Sequence, residues 1–361
     1  LPVAAPRLTG GLRTLAKVQQ TAEGPLHLVE ARAGRWPSLD GPGVAALACS
    51  GVLLDVSRPL FLDTETTGLA GGTGTLPFLV GVALEDQGQV RVEQAHLEAP
   101  GRERVVLAWL RGRLAGASLL VTFNGKSFDW PLLRSRYVMN RLPVPPLPPH
   151  LDLLHCARRL FRHDTTRHTL TALERLALDV HRQDDLPGAQ VPAVWFDYLR
   201  TGQLGGLRRV LRHNHRDVVT MVELLAWCLE AWHGQRGVSV GTGLALARLA
   251  AGRGDDARAW RLLPAHAGSL EGARLELQAC LLRRQGALRE AAVALEAAVP
   301  LSAHPGRLRL ALARLYEHQL QDFAAARRHA LGATAEEPPQ RHQRRLARLG
   351  RRASFSPVPP A

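Results

Sequence analysis

Lysine is almost missing from this 361-residue chain: Lys17 and Lys126 are the only two, and every other base is arginine, as a GC-rich genome would produce. Cysteine is scarce as well. Cys49, Cys156, Cys228 and Cys280 lie far apart and form no C-x-x-C pair, which excludes a disulfide framework and a cysteine zinc site and leaves reduced, packed thiols. No apolar run approaches the ~18 residues needed to span a bilayer. The opening LPVAAPRLTGGLRTLAK lacks the charged-then-apolar layout of a signal peptide, so a cytoplasmic globular protein is expected. The length allows two or three domains.

Charge is present in excess and unevenly. Of the formal +14, residues 1–57 hold 5 bases and 4 acids, residues 58–232 hold 21 and 18, and residues 233–361 hold 20 and 10. A basic last third would attract a polyanion by counterion release, although an arginine-rich genome gives the same count without one.

Residues 1–57 alternate short apolar runs with Gly and Pro, which predicts an irregular N-terminal extension with one or two strands. From Arg58 to Trp232 strands and helices interleave. PLFLDTE, LPFLVGVAL, QVRVEQAHL, SLLVTFN and HLDLL read as strands, and ERVVLAWLRGRLAG and the run after GKSFDW read as helices. This pattern predicts an α/β domain over 58–232 with a mixed sheet and flanking helices. Residues 233–338 carry no strand signal. Leu275/Leu310, Cys280/Leu315, Leu288/Phe323 and Ala291/Ala326 repeat at an offset of 35, which predicts helical hairpins of tetratricopeptide type or a plain α-hairpin stack. Residues 339–361 are expected to be a disordered basic tail.

Three segments carry chemistry. In FLDTETTGLAGGTG, Asp63 and Glu65 share one strand face roughly 7 Å apart ahead of a glycine-rich loop that begins at Gly68. In TFNGKSFDWPLL, a strand ends at Asn124, and Ser127 as N-cap places Asp129 in the first helical turn. In VLRHNHRDVVTMVELL, His213 and Asp217 share a helix face. Each has a plainer reading alone: solvated acids, a dipole-stabilised helix start, a surface pair. Together, Asp63, Glu65, Asp129 and Asp217 would meet at the C-terminal edge of the sheet, and four carboxylates coexist there if Mg²⁺ or Mn²⁺ neutralises them. Lys126 could touch a phosphate or lie on a solvated turn, and Asn124 could meet a sugar or cap the corner. Phe128 and Trp130 could stack on a base or pack on the helix. Asp152 reads as structural, and Asp184 and Asp185 as turn residues.

DTETTG, N-x-x-x-F-D and H-x-x-x-D, in that order, resemble the three motifs of the DnaQ-type DEDD exonucleases, which have a ribonuclease H-like fold. GLAGGTGTLPFLVG, HLDLLHCARRLFR, DDLPGAQVP and the HN before the last acid look like the bacterial YprB-like group, which often carries tetratricopeptide repeats after its nuclease domain. The resemblance implies that Asp63 bridges two metal ions, that Glu65 and Asp217 help hold the first, and that Asp129 reaches the second. Family members place a Tyr four residues, or a His five residues, before the last Asp. Here His213 stands at the tyrosine spacing and Arg212 at the other, so His213 is expected to orient or deprotonate water, with His215 as the fallback. The implied activity is two-metal 3′–5′ exonuclease hydrolysis of DNA or RNA to nucleoside 5′-monophosphates. The alternatives are a non-catalytic nucleic-acid-binding scaffold and a structure-specific endonuclease. The repeats are expected to bind a protein partner or to extend the nucleic-acid track.

Overall fold

A computed structural model describes residues 16–68, 74–183 and 185–354. The chain divides into two compact units, Leu1–Arg236 and Gly237–Ala361.

The first unit is built on one mixed sheet. Its strands are β1 (Lys17–Thr21), β2 (Gly24–Arg35), β3 (Pro59–Thr66), β4 (Pro77–Asp86), β5 (Gln89–His96), β6 (Leu119–Thr122) and β7 (His150–Asp152), arranged β1-β2-β5-β4-β3-β6-β7. From β1 through β3 every neighbour is antiparallel, and β3-β6-β7 run parallel. β3 and β4 lie in the middle and are buried on both faces; β4 reads as an almost continuous apolar run, and β3 as one only as far as Leu62. β4 and β5 are joined by Gln87-Gly88 with φ of +55° and +77°, the two positive values that match the twist of a tight hairpin.

Helices cover the sheet: α1 (Gly41–Leu47), α2 (Glu103–Gly116), α3 (Asp129–Met139), α4 (Leu153–Leu160), α5 (Leu170–Leu173), α6 (Val191–Thr201) and α7 (Leu204–His233). α5 runs directly into a π-helical turn, Glu174–Leu178. α7 packs on β3, β4 and β5 and ends at Gly234, whose φ of +72° is the left-handed stop that glycine supplies cheaply. The core stacks Trp195 of α6 on Phe78 of β4 at 5.0 Å, and His96 of β5 sets its edge against Tyr198 at 5.8 Å.

Two boundaries differ from the sequence expectation. The N-terminal extension is not a separate lead-in over its described part: β2 pairs with β5 along its length and β1 pairs with β2, so residues 17–35 widen the sheet. Leu26 and Leu28 bury one face there, which anchors the pair. Ser127 does not cap α3 either, because Phe128 holds the cap position without a side-chain bond.

The second unit contains only helices and turns among its described residues: α8 (Val240–Gly252), α9 (Asp256–Leu262), α10 (Glu271–Arg284), α11 (Leu288–Ala298), α12 (Pro305–Leu315), α13 (Phe323–Leu331) and α14 (Pro339–Ala353), with short 3₁₀ and π turns between them. α10, α12 and α14 start at Glu271, Pro305 and Pro339, 34 residues apart, and successive helices from α10 onward pack on one another. The expected disordered tail is therefore corrected as far as Ala353. Leu349 of α14 is fully buried against Ala313, Ala326 and Ala330, and this apolar contact orders the basic segment. No described helix is long and apolar enough to cross a membrane.

Candidate active site

Parallel pairing of β3 with β6 brings two chain segments to the same edge of the sheet. β3 delivers Asp63 and Glu65 there. Beyond β6 the chain turns at Asn124, which adopts φ +66°, a conformation that asparagine tolerates well, and enters α3 at Asp129. Asp152, at the end of β7, fixes this corner. Its carboxylate accepts from the Asn124 amide at 2.8 Å, the Lys126 amide at 3.1 Å and the Leu154 amide at 3.0 Å. α7 crosses the sheet and contributes His213 and Asp217.

The four acids come within electrostatic reach of one another. Burial, then Asp217, Glu65 and Asp129, push the Asp63 carboxyl well above the usual carboxylate range. Burial raises Glu65 to about 7 even though His213 opposes it, and burial raises Asp129 to about 6 even though the Thr64 hydroxyl opposes it. Asp217 is raised by burial against the pull of His213 and Arg182. Folding thus crowds like charges that water alone would keep apart.

Several partners that sequence spacing did not reveal hold these acids. Asn214, fully buried on the sheet side of α7, donates from Nδ2 to Asp63 Oδ2 at 2.8 Å and accepts from Gln94 of β5 at 2.8 Å. Gly81 lies opposite Asp63 in the register, and a Cβ there would stand 1.9 Å from Asn214 Oδ1, so glycine at that position admits the asparagine. Thr64 donates to Asp129 at 2.5 Å. Arg182, with its side chain 2% exposed, is the hub of a second group. It donates to both oxygens of the fully buried Glu174, to Asp185 at 2.8 Å and to Asp217. Thr220 also donates to Glu174.

His213 sits between two carboxylates. Its Nδ1 is 2.8 Å from Asp185 Oδ1, and its Nε2 is 3.6 Å from Asp217 Oδ2. Burial lowers its pKa, but Asp217, the Asp185 hydrogen bond and Glu65 outweigh that and leave it raised. Asp185 is thus more than a turn residue: it orients this ring. Asp184 lies outside the described residues, as do residues 69–73 of the glycine-rich loop. His215 is not brought to the acids. Two residues along a helix points it to another side, where burial and Arg216 lower its pKa.

The proposed substrate-side residues line the same corner. Asn124 and Lys126 are exposed and Phe128 is half-buried, whereas Trp130 packs against the core.

These elements match known proteins. A family model described as RNase_H superfamily matches residues 60–229. YprB of Bacillus subtilis (strain 168), itself described as uncharacterized, is 32% identical over 317 residues, covering 81% of this chain and 75% of that protein. The chain belongs to the family of YprB, and residues 60–229 form its RNase H-like domain. A family B DNA polymerase from the archaeon Pyrobaculum calidifontis is similar at 16% identity and a TM-score of 0.38 over 65% of this chain, which spans 30% of the polymerase chain.

A group of this composition suits a hard divalent cation. All its principal donors are carboxylate oxygens, and Glu65 Oε1 is buried with no hydrogen-bond partner among the described residues. The described residues nonetheless hold no group of three or more His, Cys, Asp or Glu at metal-holding geometry. Asn214, Thr64 and Arg182 occupy oxygens of Asp63, Asp129 and Asp217.

Proposed function

We propose that this chain is a metal-dependent 3′–5′ exonuclease of the DEDD type, acting on single-stranded DNA or RNA ends. The observation that carries this reading is the crowding of Asp63, Glu65, Asp129 and Asp217, from three remote segments, with burial and mutual repulsion acting against their ionisation. Such a set is costly to fold unless cations offset it.

Asp63, Glu65, Asp129 and Asp217 would hold two Mg²⁺ or Mn²⁺ ions, which supply an activated water and stabilise the departing oxygen. His213 keeps Nδ1–H on Asp185, which leaves Nε2 to accept the proton of the attacking water. The water oxygen bonds to phosphorus and the bond from phosphorus to the 3′ oxygen breaks. That oxygen takes up a proton, and a nucleoside 5′-monophosphate leaves. Asp185 fixes the imidazole ring, and Asn214 fixes Asp63. Asn124, Lys126 and Phe128 would contact the terminal nucleotide. The 34-residue helical period supports a tetratricopeptide-like second unit.

The full chain incubated with 5′-labelled single strands and Mn²⁺ should give a ladder shortening by one nucleotide from the 3′ end, abolished by EDTA. Cleavage of circular strands would replace this reading with an endonuclease. Tight binding without any cleavage would replace it with a scaffold.

A further inference from the structure

The last helical pair of the second unit carries a charge arrangement that the active site does not use. α14 contains six arginines and no acid. Arg341, Arg344, Arg348 and Arg351 follow at steps of three, four and three residues, so at about 100° per residue they form one stripe about 80° wide and about 15 Å long. Among the described residues no carboxylate pairs with Arg341, Arg344 or Arg351, and all three are exposed.

The acids nearby are already committed. Glu317 and Glu337 have side chains only 2% and 5% exposed. Arg345 bonds to both of them, at 2.6 Å and 2.9 Å, and Arg348 bonds to Glu317 at 2.7 Å. The Arg345 hydrogen bond, with the charge of Arg314 adding to it, holds the Glu337 carboxyl below its usual range. Of the exposed acids in this pair, Asp322 caps α13 through the Ala325 amide, and Glu336 lies against Gly306. Two buried acids therefore pin the inner arginines in place, while the outer ones carry uncompensated charge on a rigid helix. Guanidinium groups set out this way match successive phosphates on a flexible strand, because a planar fork pairs with phosphate oxygens and reads no base.

We infer that the α14 stripe is a sequence-independent binding surface for the phosphate backbone of a single-stranded nucleic acid, separate from the site that cleaves it. This rests on the reading of the chain as a nucleic-acid enzyme. Its energetic signature is ionic: each arginine that neutralises a phosphate on a single strand contributes about 0.7 to the slope of log K against log salt.

The test uses the full chain and a fluorescent 30-nucleotide oligo(dT) in EDTA, where no cleavage occurs, with anisotropy measured from 50 to 300 mM KCl. The triple variant R341Q/R344Q/R351Q should lower the slope by about 2 and weaken binding at least tenfold at 50 mM KCl, with its circular dichroism melt unchanged. The control triple R261Q/R283Q/R289Q makes the same change in net charge on α9, α10 and α11 and should leave the slope within 0.5 of wild type. Equal slopes for wild type and the first triple would overturn the inference, as would equal losses in both triples. A polyglutamate chain that displaces the strand as well as unlabelled DNA does would move the surface to an acidic protein and overturn the nucleic-acid assignment. Cleavage of short strands with Mn²⁺, measured in parallel, reports on the catalytic reading separately: a wild type that cuts while the first triple binds normally sinks only the stripe.

Discussion

Gly81→Ala is the sharpest perturbation of the site, although Gly81 touches no substrate. Its new Cβ would stand 1.9 Å from Asn214 Oδ1, 2.7 Å from Cγ and 2.9 Å from Nδ2, where ordinary contact begins near 3.4 Å. β4 is hydrogen-bonded to strands on both sides and cannot retreat, so the asparagine side chain must move by about 1.5 Å. That movement breaks its bonds to Asp63 and Gln94, each worth about 1–3 kcal/mol when a buried partner is left unpaired, for a total near 3 kcal/mol. Asn214→Ala also loses these bonds, but it removes the clashing group. Gly81→Ala should therefore cost about 3 kcal/mol in the wild type and under about 1 kcal/mol in the Asn214→Ala background, a coupling of about 2 kcal/mol in the cycle. Urea unfolding followed by tryptophan fluorescence suits the measurement, since six of the seven tryptophans lie before residue 237. Equal costs of Gly81→Ala in the two backgrounds would refute the proposed steric relay from β4 to Asp63.

Four further outcomes are expected. Asp63→Ala and Asp217→Ala should each abolish cleavage of end-labelled strands and leave the far-ultraviolet dichroism intact; activity near wild type in either would remove the site. His213→Ala should slow turnover by about 10²–10⁴ while Mn²⁺ binding, followed by calorimetry, persists; unchanged turnover would remove the base assignment. Arg182→Met should destabilise the first unit by about 3–5 kcal/mol in urea, because Glu174 and Asp217 lose their buried counter-charge; a loss below about 1 kcal/mol would show that the network contributes little. Burial, with His27 adding, lowers the pKa of His96 from 6.5 to about 3, so the unfolded chain binds a proton that the folded chain refuses. The resulting stability is complete above pH 6.5 and is lost as pH falls toward 3, by about 2 kcal/mol at pH 5. Glu65, with its raised pKa, acts in the opposite direction, so the quantity to read is the difference between wild type and His96→Phe at pH 8 and pH 5.

The strands of the first unit were legible because central strands bury both faces and announce themselves as apolar runs ending in an acid. The carboxylates stood out for different reasons: Asp63 and Glu65 follow the apolar start of β3, Asp129 opens α3, and Asp217 shares a face with His213 in the middle of α7. What holds them did not. Asn214 bonds Asp63 across 151 residues and Gln94 across 120, and nothing in local periodicity marks such a pair. One signal was available: an asparagine inside the apolar stripe of α7, flanked by Val210, Leu211 and Val218, needs a buried partner. Asp185 was hidden by its setting, since an acid in DDLPG looks like turn chemistry whether or not it also grips a histidine. One or two N-terminal strands were expected, but not that they join the sheet: β1 is almost wholly exposed and β2 buries only a short stretch, so nothing local shows that β2 pairs with β5. α14 was missed for a different reason. Its arginines dominated the composition, while Glu317, one of the two acids that order the helix, lies 28 and 31 residues from its partners Arg345 and Arg348.

The two units treat their buried carboxylates differently, and the difference bears on the proposed site. In the second unit the buried acids Glu317 and Glu337 are met by arginines, and their charge is offset within the protein. In the first unit Arg182 offsets Glu174 and one side of Asp217, but among the described residues no cation of the protein pairs with Asp63 or Glu65, whose only polar support is the amide of Asn214 and a distant imidazole. A fold that can place an arginine beside one buried acid could have placed one beside the next. Leaving Asp63 and Glu65 without one costs stability, a cost that the metal ions of the proposed mechanism would offset.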